Sequence, residues 1–570
     1  MKKPVDLVFL WHMHQPDYRD YSNGDFVLPW TYLHAIKDYT DMAYHLEQHP
    51  NVHAVVNFVP ILLDQIEDYA DQFATGKLRD PLLRLLVHED SCDLSPSQRQ
   101  LALDACFRSN HTKMIAPYPA YKRLLELFTR LNADGEIALS YLSGQYVADL
   151  LTWYHLAWCG ESVHREHELL ARLMSKAEGF TYEDRKELLD LIGNLVTGII
   201  PRYRKLAETG QIEISATPHY HPLAPLLIDF DSAKEAMPDA PLPESPHYPK
   251  GRQRVTAQIR RAKDSHKKRF GDEPQGMWPA EGSISKETLE VFAAEGCRWV
   301  ASGEGVLVNS LQSSQLTIDE RANYLYRPYQ LESNADGLSC FFRNDQLSDL
   351  IGFEYSGWHG KDAAIHFVEQ IKAIAQQAPD GETPVVSVIL DGENAWEYYP
   401  YNGFFFLDEL YGALEANHDI NTCTYSDYLN SCTSREDCAA VHTLSSIAAG
   451  SWVYGDFSTW IGSRDKNRAW DLLCVAKQSF DMVVSSGRLS EDELAAAEKQ
   501  LCSCESSDWF WWFGDYNPSH SVVSFDRLFR HNLSELYRML KLPPPMNLSE
   551  PVSQGGGHPE AGGAMRRASE

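Results

Sequence analysis

Short apolar runs rich in β-branched residues recur along the chain, and several of them stop on polar residues. Val385-Val-Ser-Val-Ile-Leu390 ends at Asp391 and Gly392, followed by Glu393 and Trp396. Asp6-Leu-Val-Phe-Leu10 runs straight into Trp11-His12-Met-His14-Gln15-Pro16. Residues 53–58 form a third run, closed by Pro60. Gln211-Ile-Glu213-Ile-Ser215 alternates apolar and polar and leads into Thr217-Pro-His219-Tyr-His221-Pro222. Gly276-Met-Trp278-Pro-Ala-Glu281-Gly282 is a further short segment of the same kind. Runs of this length and composition predict buried strands.

Helical periodicity fills the intervals: about 31–49, much of 80–200, about 256–270, 285–296 (a Ser start and a Gly stop) and 362–377. Segments 323–330 and 338–343 have a hairpin-like pattern. Strands alternating with helices predict a parallel α/β sheet, closed as a barrel. After Pro400 the pattern becomes helical, over 404–414, 470–484 and 491–501, with Ser490 and Glu493 placed as a capping box. The expected organisation is therefore a barrel domain over 1–400, a helical domain over 401–542 and a disordered tail over 543–570, where Pro543-Pro-Pro545 and Gly555-Gly-Gly557 replace apolar periodicity.

Composition narrows the partners. Aromatic residues make up 11% of the chain (14 Trp, 28 Tyr, 23 Phe), and many stand beside Asp, Glu, His, Gly or Pro. Flat apolar faces beside hydrogen-bonding groups suit sugar rings, although many of these aromatics are core residues with a satisfied polar tip. A net charge of −29 argues against nucleic acid and anionic membrane as partners. The basic cluster at 252–269 has helical spacing and reads as a solvated helix face. No apolar stretch long enough to span a membrane is present, and the amino terminus lacks a signal-peptide pattern. Eleven cysteines without paired spacing fit reduced thiols, so a cytoplasmic protein is expected; its oligomeric state is not legible.

Four predicted strand ends carry chemistry: His12 with His14, Glu213 with His219 and His221, Glu281, and Asp391 with Glu393. Glu281 and Asp391 come from separate strand ends, each near a Trp. Cleaving a glycosidic bond needs such a pair, one carboxyl group at the anomeric carbon and one to protonate the leaving oxygen. The same residues permit a metal reading, because His12-x-His14 and His219-x-His221 place two imidazoles on one side of a strand, as in a metal-dependent carbohydrate deacetylase. Each carboxylate or histidine taken singly is also explained as a cap or a hydrogen-bonded core group. Neither a phosphate-binding glycine loop nor a nucleophilic serine elbow is present.

The motifs Trp11-His-Met-His14-Gln-Pro16, Gly210-Gln-Ile-Glu213 through His221-Pro222, Trp278-Pro-Ala-Glu281 and Leu390-Asp391-Gly-Glu393 resemble, in order and spacing, those of glycoside hydrolase family 57. Leu28-Pro-Trp30, Gly450-Ser-Trp452, Thr459-Trp460 and Ser507-Asp508-Trp509 are similar to its α-amylase/amylopullulanase branch, and the resemblance covers about 5–540. Asn344 stands where many relatives carry an acid, and Asn394-Ala-Trp-Glu-Tyr-Tyr399 differs from the Phe-Gly-containing pattern of branching enzymes. The resemblance implies a (β/α)7 barrel followed by an α-helical domain and retaining hydrolysis of α-1,4-glucans, with α-1,6 linkages left open. It implies Glu281 as nucleophile and Asp391 as general acid/base, with no cofactor and no metal. Substrate-binding residues would be His12, His14, Gln15, Trp30, Glu213, His221, Trp278, Glu393, Trp396, Trp452, Trp460 and Trp509. A 4-α-glucanotransferase or branching enzyme is the alternative on the same scaffold; a non-catalytic glucan-binding protein is a remote one.

Overall fold

The computed structural model describes residues 3–133, 141–316, 318, 320–334 and 337–557. Its one sheet contains β1 (Val5–Met13), β2 (Ala54–Phe58), β3 (Ile212–Ala216), β4 (Gly276–Met277), β5 (Trp299–Ser302), β6 (Tyr329–Leu331), β7 (Ser339–Phe342), β8 (Val385–Asp391), β9 (Ile420–Thr422) and β10 (His442–Leu444). Seven strands run parallel in the spatial order β8-β1-β2-β3-β4-β5-β7. The two outer strands of that order meet at Arg343 and Ser387, where the Asn344 N–H donates to the Ser387 carbonyl at 2.8 Å. The sheet thus curls round on itself as the expected (β/α)7 barrel.

Burial on both faces explains why these strands are apolar at nearly every position. Val8, Leu10, Val55, Ala301, Phe341 and Ile389 point inward and pack with Trp278 and Trp299. Their neighbours Leu7, Phe9, Trp11 and Val56 point outward to the helices. Each fully buried residue of this size contributes about 1.5–3 kcal/mol. The period of two carries inward to His12, which pairs in register with Asp391 of β8 and Asn57 of β2. The inner face therefore changes from apolar to polar at the carboxyl ends of the strands. Tyr425 and Tyr428 plug the interior from the opposite end.

Helices after residue 400 span Phe404–Glu415, Arg464–Ser485, Glu491–Cys504 and Ser519–Met539. The Ser490 capping box forms as expected, with the Ser490 N–H donating to Glu493 at 2.9 Å. The expected hairpin also forms, β6 pairing antiparallel with β7.

Four expectations need correction. The segment after residue 400 is not purely helical, since β9 pairs with β1 and β10 with β6. The tail does not begin at 543: Met546–Ser549 is a 3-10 turn, Leu548 and Val552 are buried, and the Val552 N–H donates to Asp526 at 2.6 Å. Residues 558–570 of that expected tail lie outside the described residues. The basic helix Gly251–Phe270 is not simply solvated, because Arg254 pairs with Glu505 at 2.6 Å and Arg269 with Asp64 at 2.6 Å, both arginines being buried. Its helical spacing puts those two residues on the core side. Cys432 and Cys438 are joined by a disulfide across a turn; the other described cysteines are thiols. Among the described residues no helix is long and apolar enough to cross a membrane.

Candidate active site

A cavity of about 730 Å³ opens at the carboxyl ends of the strands. Barrel folds build chemistry there because the strands end facing inward while the following loops are free to vary. From β1 come two imidazoles on one side. His12 is held by Asn57, with Nδ1 to Oδ1 at 2.7 Å. Burial pushes its pKa down to about 3, assisted by His14, so it is neutral near pH 7. His14 contacts Asp508 through Nε2 at 2.9 Å, and its backbone N–H donates to Glu393 at 3.2 Å. The His14 ring stacks on His221 with centroids 3.9 Å apart.

Glu281 sits just beyond β4 on a turn with φ 59°, left-handed backbone that costs a residue with a Cβ on the order of 1–2 kcal/mol. Gly282 follows with φ 58°; a Cβ there would meet the Trp278 ring at 2.7 Å, so only glycine fits. The surroundings over-determine the conformation. The Trp452 N–H donates to the Glu281 carbonyl at 3.0 Å, and the Gly282 carbonyl accepts from Ser302 at 2.6 Å. This aims the carboxyl group into the cavity, where Oε2 accepts from Trp452 Nε1 at 3.2 Å and Oε1 from Ser507 Oγ at 3.1 Å. While Glu281 is ionised, Ser507 donates its only proton to it, and the 2.8 Å contact with His221 Nδ1 is then made by Nδ1–H donating. His221 Nε2 is then an acceptor turned toward the site.

The carboxyl groups share a negative environment. Burial, then the charges of Asp508 and Asp391, raise Glu281 to about 8. Burial raises Asp391 to about 6, opposed by the Asn394 side chain, which donates at 2.8 Å, and by His14. Glu393, buried beside Asp391, is pushed well above the usual carboxylate range. An elevated Asp391 is what a proton donor needs. Burial and two neighbouring carboxylates outweigh the two donors of Glu281, so its carboxyl group is protonated in the free site near pH 7.

The sequence-predicted residues His12, His14, Gln15, Trp30, His221, Glu281, Asp391, Glu393 and Trp452 all line the cavity. Glu213, Trp278, Trp396, Trp460 and Trp509 do not line it. Glu213 pairs in register with Val55, level with Leu10, so it lies one inward layer below His12. There it accepts from Trp299 Nε1 at 2.8 Å and from Ser426 at 2.7 Å, tying the plug to the barrel. Trp396 turns outward beneath Trp11 and donates to the Gly392 carbonyl. Trp460 and Trp509 are fully buried among the helices, Trp509 donating to the Ser503 carbonyl. Trp278 lies under the site, edge-on to Trp452 at 5.2 Å. Asn344, expected to replace an acid, caps the helix Asp345–Asp349 and donates to Tyr326.

Sequence reasoning missed Ser507 and Asp508 as direct partners of Glu281, His221 and His14. The signal available was Asp508 itself, an acid opening an aromatic run, but attention to stacking favoured the tryptophan beside it. The aromatics that do reach the cavity include Trp158, Trp511 and Trp512. At the cavity's other end Trp158 stacks obliquely on Trp30 at 5.7 Å and lies under Lys37, with Glu397 and Tyr398 alongside.

The loop 505–508 reaches the barrel by an isolated bridge between Pro222 and Ser506 and by the Ser507 N–H donating to the His221 carbonyl at 2.9 Å. Glu505 behind it accepts from Arg254, Gln258 and Tyr248, all buried.

The family model for glycosyl hydrolase family 57 matches residues 8–440. Among solved structures, the chain is similar to a family 57 branching enzyme from Thermococcus kodakaraensis, with 15% identity, TM-score 0.59 and 95% of this chain and 90% of that chain covered. It is similar to the branching enzyme from Pyrococcus horikoshii, with 16% identity, TM-score 0.57 and 97% of each chain covered. It is also similar to an α-amylase from Thermotoga maritima, with 13% identity, TM-score 0.52 and 95% and 96% of the two chains covered. These likenesses concern the fold. No curated protein matches the chain.

Proposed function

The chain belongs to glycosyl hydrolase family 57, and on that premise we propose that it acts on α-1,4-glucans by double displacement through a covalent glycosyl-enzyme. One observation carries this reading. Glu281 and Asp391 reach a single cavity from two different strand ends, near enough for the Asp391 charge to raise Glu281. In the reactive state the proton shared by the pair rests on Asp391, and Glu281 is ionised. Glu281 attacks the anomeric carbon while Asp391 gives its proton to the glycosidic oxygen, and the bond to the leaving chain breaks. Asp391, now a carboxylate, takes a proton from the acceptor hydroxyl as that oxygen attacks the same carbon and releases Glu281. Trp452 and Ser507 stabilise the negative charge Glu281 carries at the start and regains at the end. His14, His221 and Glu393 supply acceptors and donors for sugar hydroxyls, and Trp30, Trp158 and Trp452 supply apolar faces. The segment after residue 400 completes the cleft through Trp452, Asp508, Trp511 and Trp512.

The acceptor decides the activity. Water gives hydrolysis; a glucan hydroxyl gives 4-α-glucanotransfer or branching. The second reading has the support of two branching enzymes whose folds match over 90% and 97% of their lengths. Incubation with amylose and with maltoheptaose, followed by reducing-end assay and linkage analysis, separates the two. Hydrolysis raises reducing ends; transfer redistributes chain lengths or creates α-1,6 branches without raising them. No change in any glucan tested would overturn the proposal.

A further inference from the structure

Three side chains that line the sugar site also form a donor set for a cation. His14, His221 and Asp508 each present one ligand atom, and the three atoms lie within 4.8 Å of one another. The edge between His14 Nε2 and Asp508 Oδ1, at 2.9 Å, is a hydrogen bond that need open only to roughly 3.4 Å, the separation of adjacent ligands on a tetrahedral ion with bonds near 2.1 Å. A second, independent observation points to a ligand: His221 is 1% exposed, yet its Nε2 has no hydrogen-bond partner. Buried imidazole nitrogens are rarely left so unless something binds them. Asp391 and Glu393 line the same cavity, so further carboxyl groups surround the set.

We propose that His14, His221 and Asp508 form a binding site for a divalent transition cation, which occupies the base of the cavity in competition with the sugar and acts as a reversible inhibitor. Two imidazoles with a carboxylate suit zinc, copper, nickel or cobalt; calcium and magnesium prefer oxygen-only sets. The ion would displace the His14–Asp508 hydrogen bond and take the His14 and His221 nitrogens from the sugar hydroxyls. Binding follows from the ligands alone; the inhibition rests on the function proposed above.

Cobalt(II) titrated into the full chain, in a Cys92→Ser background that removes the one exposed thiol among the described residues, reports the site by its visible absorption. The expected result is a 1:1 spectrum that zinc displaces and that weakens more than about tenfold in Asp508→Asn and in His221→Asn. Thermal melts establish that both variants are folded, and an unfolded variant is replaced by Asp508→Ser. Maltoheptaose at saturation should displace the cobalt. Absence of a 1:1 spectrum, or an affinity unchanged in both folded variants, overturns the proposal. Cobalt binding that maltoheptaose does not displace upholds the site and counts against the glucan reading.

Discussion

Between about pH 6, where Asp391 ionises, and about pH 8, where Glu281 does, the two carboxyl groups hold one proton between them. Of the two forms of that singly protonated pair, the one with the proton on Asp391, the minor one given these values, both attacks and donates, and its population follows the pair's. kcat/KM should therefore rise through about pH 6 and fall through about pH 8, a bell read from the pH–rate profile. A profile centred below pH 5 would contradict the assignment. Stability carries the opposite mark of the same group. The folded-state value of Glu281, about 8, lies above its usual 4.5, so the group costs nothing below pH 4.5 and destabilises progressively as pH rises to 8. Glu281→Gln should abolish turnover by several orders of magnitude, yet be more stable to unfolding than the wild type at pH 8 by about 4 kcal/mol. Equal melting at pH 8 would place the carboxyl group in a wetter setting than this one. At this scale the chemistry at strand ends was legible because a buried strand that stops on an acid or histidine aims it at the rim. The layer within the barrel was not: Glu213 alternates inward just as His12 does, and only the register with Val55 and Leu10 puts it below the floor.

The loop 505–508 depends on a helix far away in sequence. Arg254, in Gly251–Phe270, fixes Glu505, which stands two and three residues before Ser507 and Asp508, the residues that hold Glu281 and His14. Removing one partner of a buried pair leaves the other charge without compensation. Arg254→Met should lower unfolding stability by about 3–5 kcal/mol, measured in urea, whereas Arg254→Met with Glu505→Gln should recover a large part of it. A single variant as stable as wild type would show that Glu505 finds another cation. Strand and helix existence could be read from periodicity, as could the capping box at Ser490. The pairing of β9 and β10 with the barrel could not, since each has only three residues and no apolar run to announce it. The ordered chain after 543 escaped for a related reason: two buried side chains, Leu548 and Val552, anchor it without any periodicity.

The whole molecule joins the barrel to helices contributed after residue 400, and Glu281 is where they meet: its backbone belongs to the barrel's turn, while its donors Trp452 and Ser507 come from the later segment. The central claim is that Glu281 attacks the sugar. Asp391→Asn removes the proton donor while leaving the nucleophile, so a maltosyl fluoride, whose leaving group needs no protonation, should load the enzyme faster than water unloads it. Intact-mass and peptide mass spectrometry of that mixture should find one maltosyl unit, attached at Glu281. An adduct on Asp508 or Glu393, or steady release of maltose with none at all, would contradict the account.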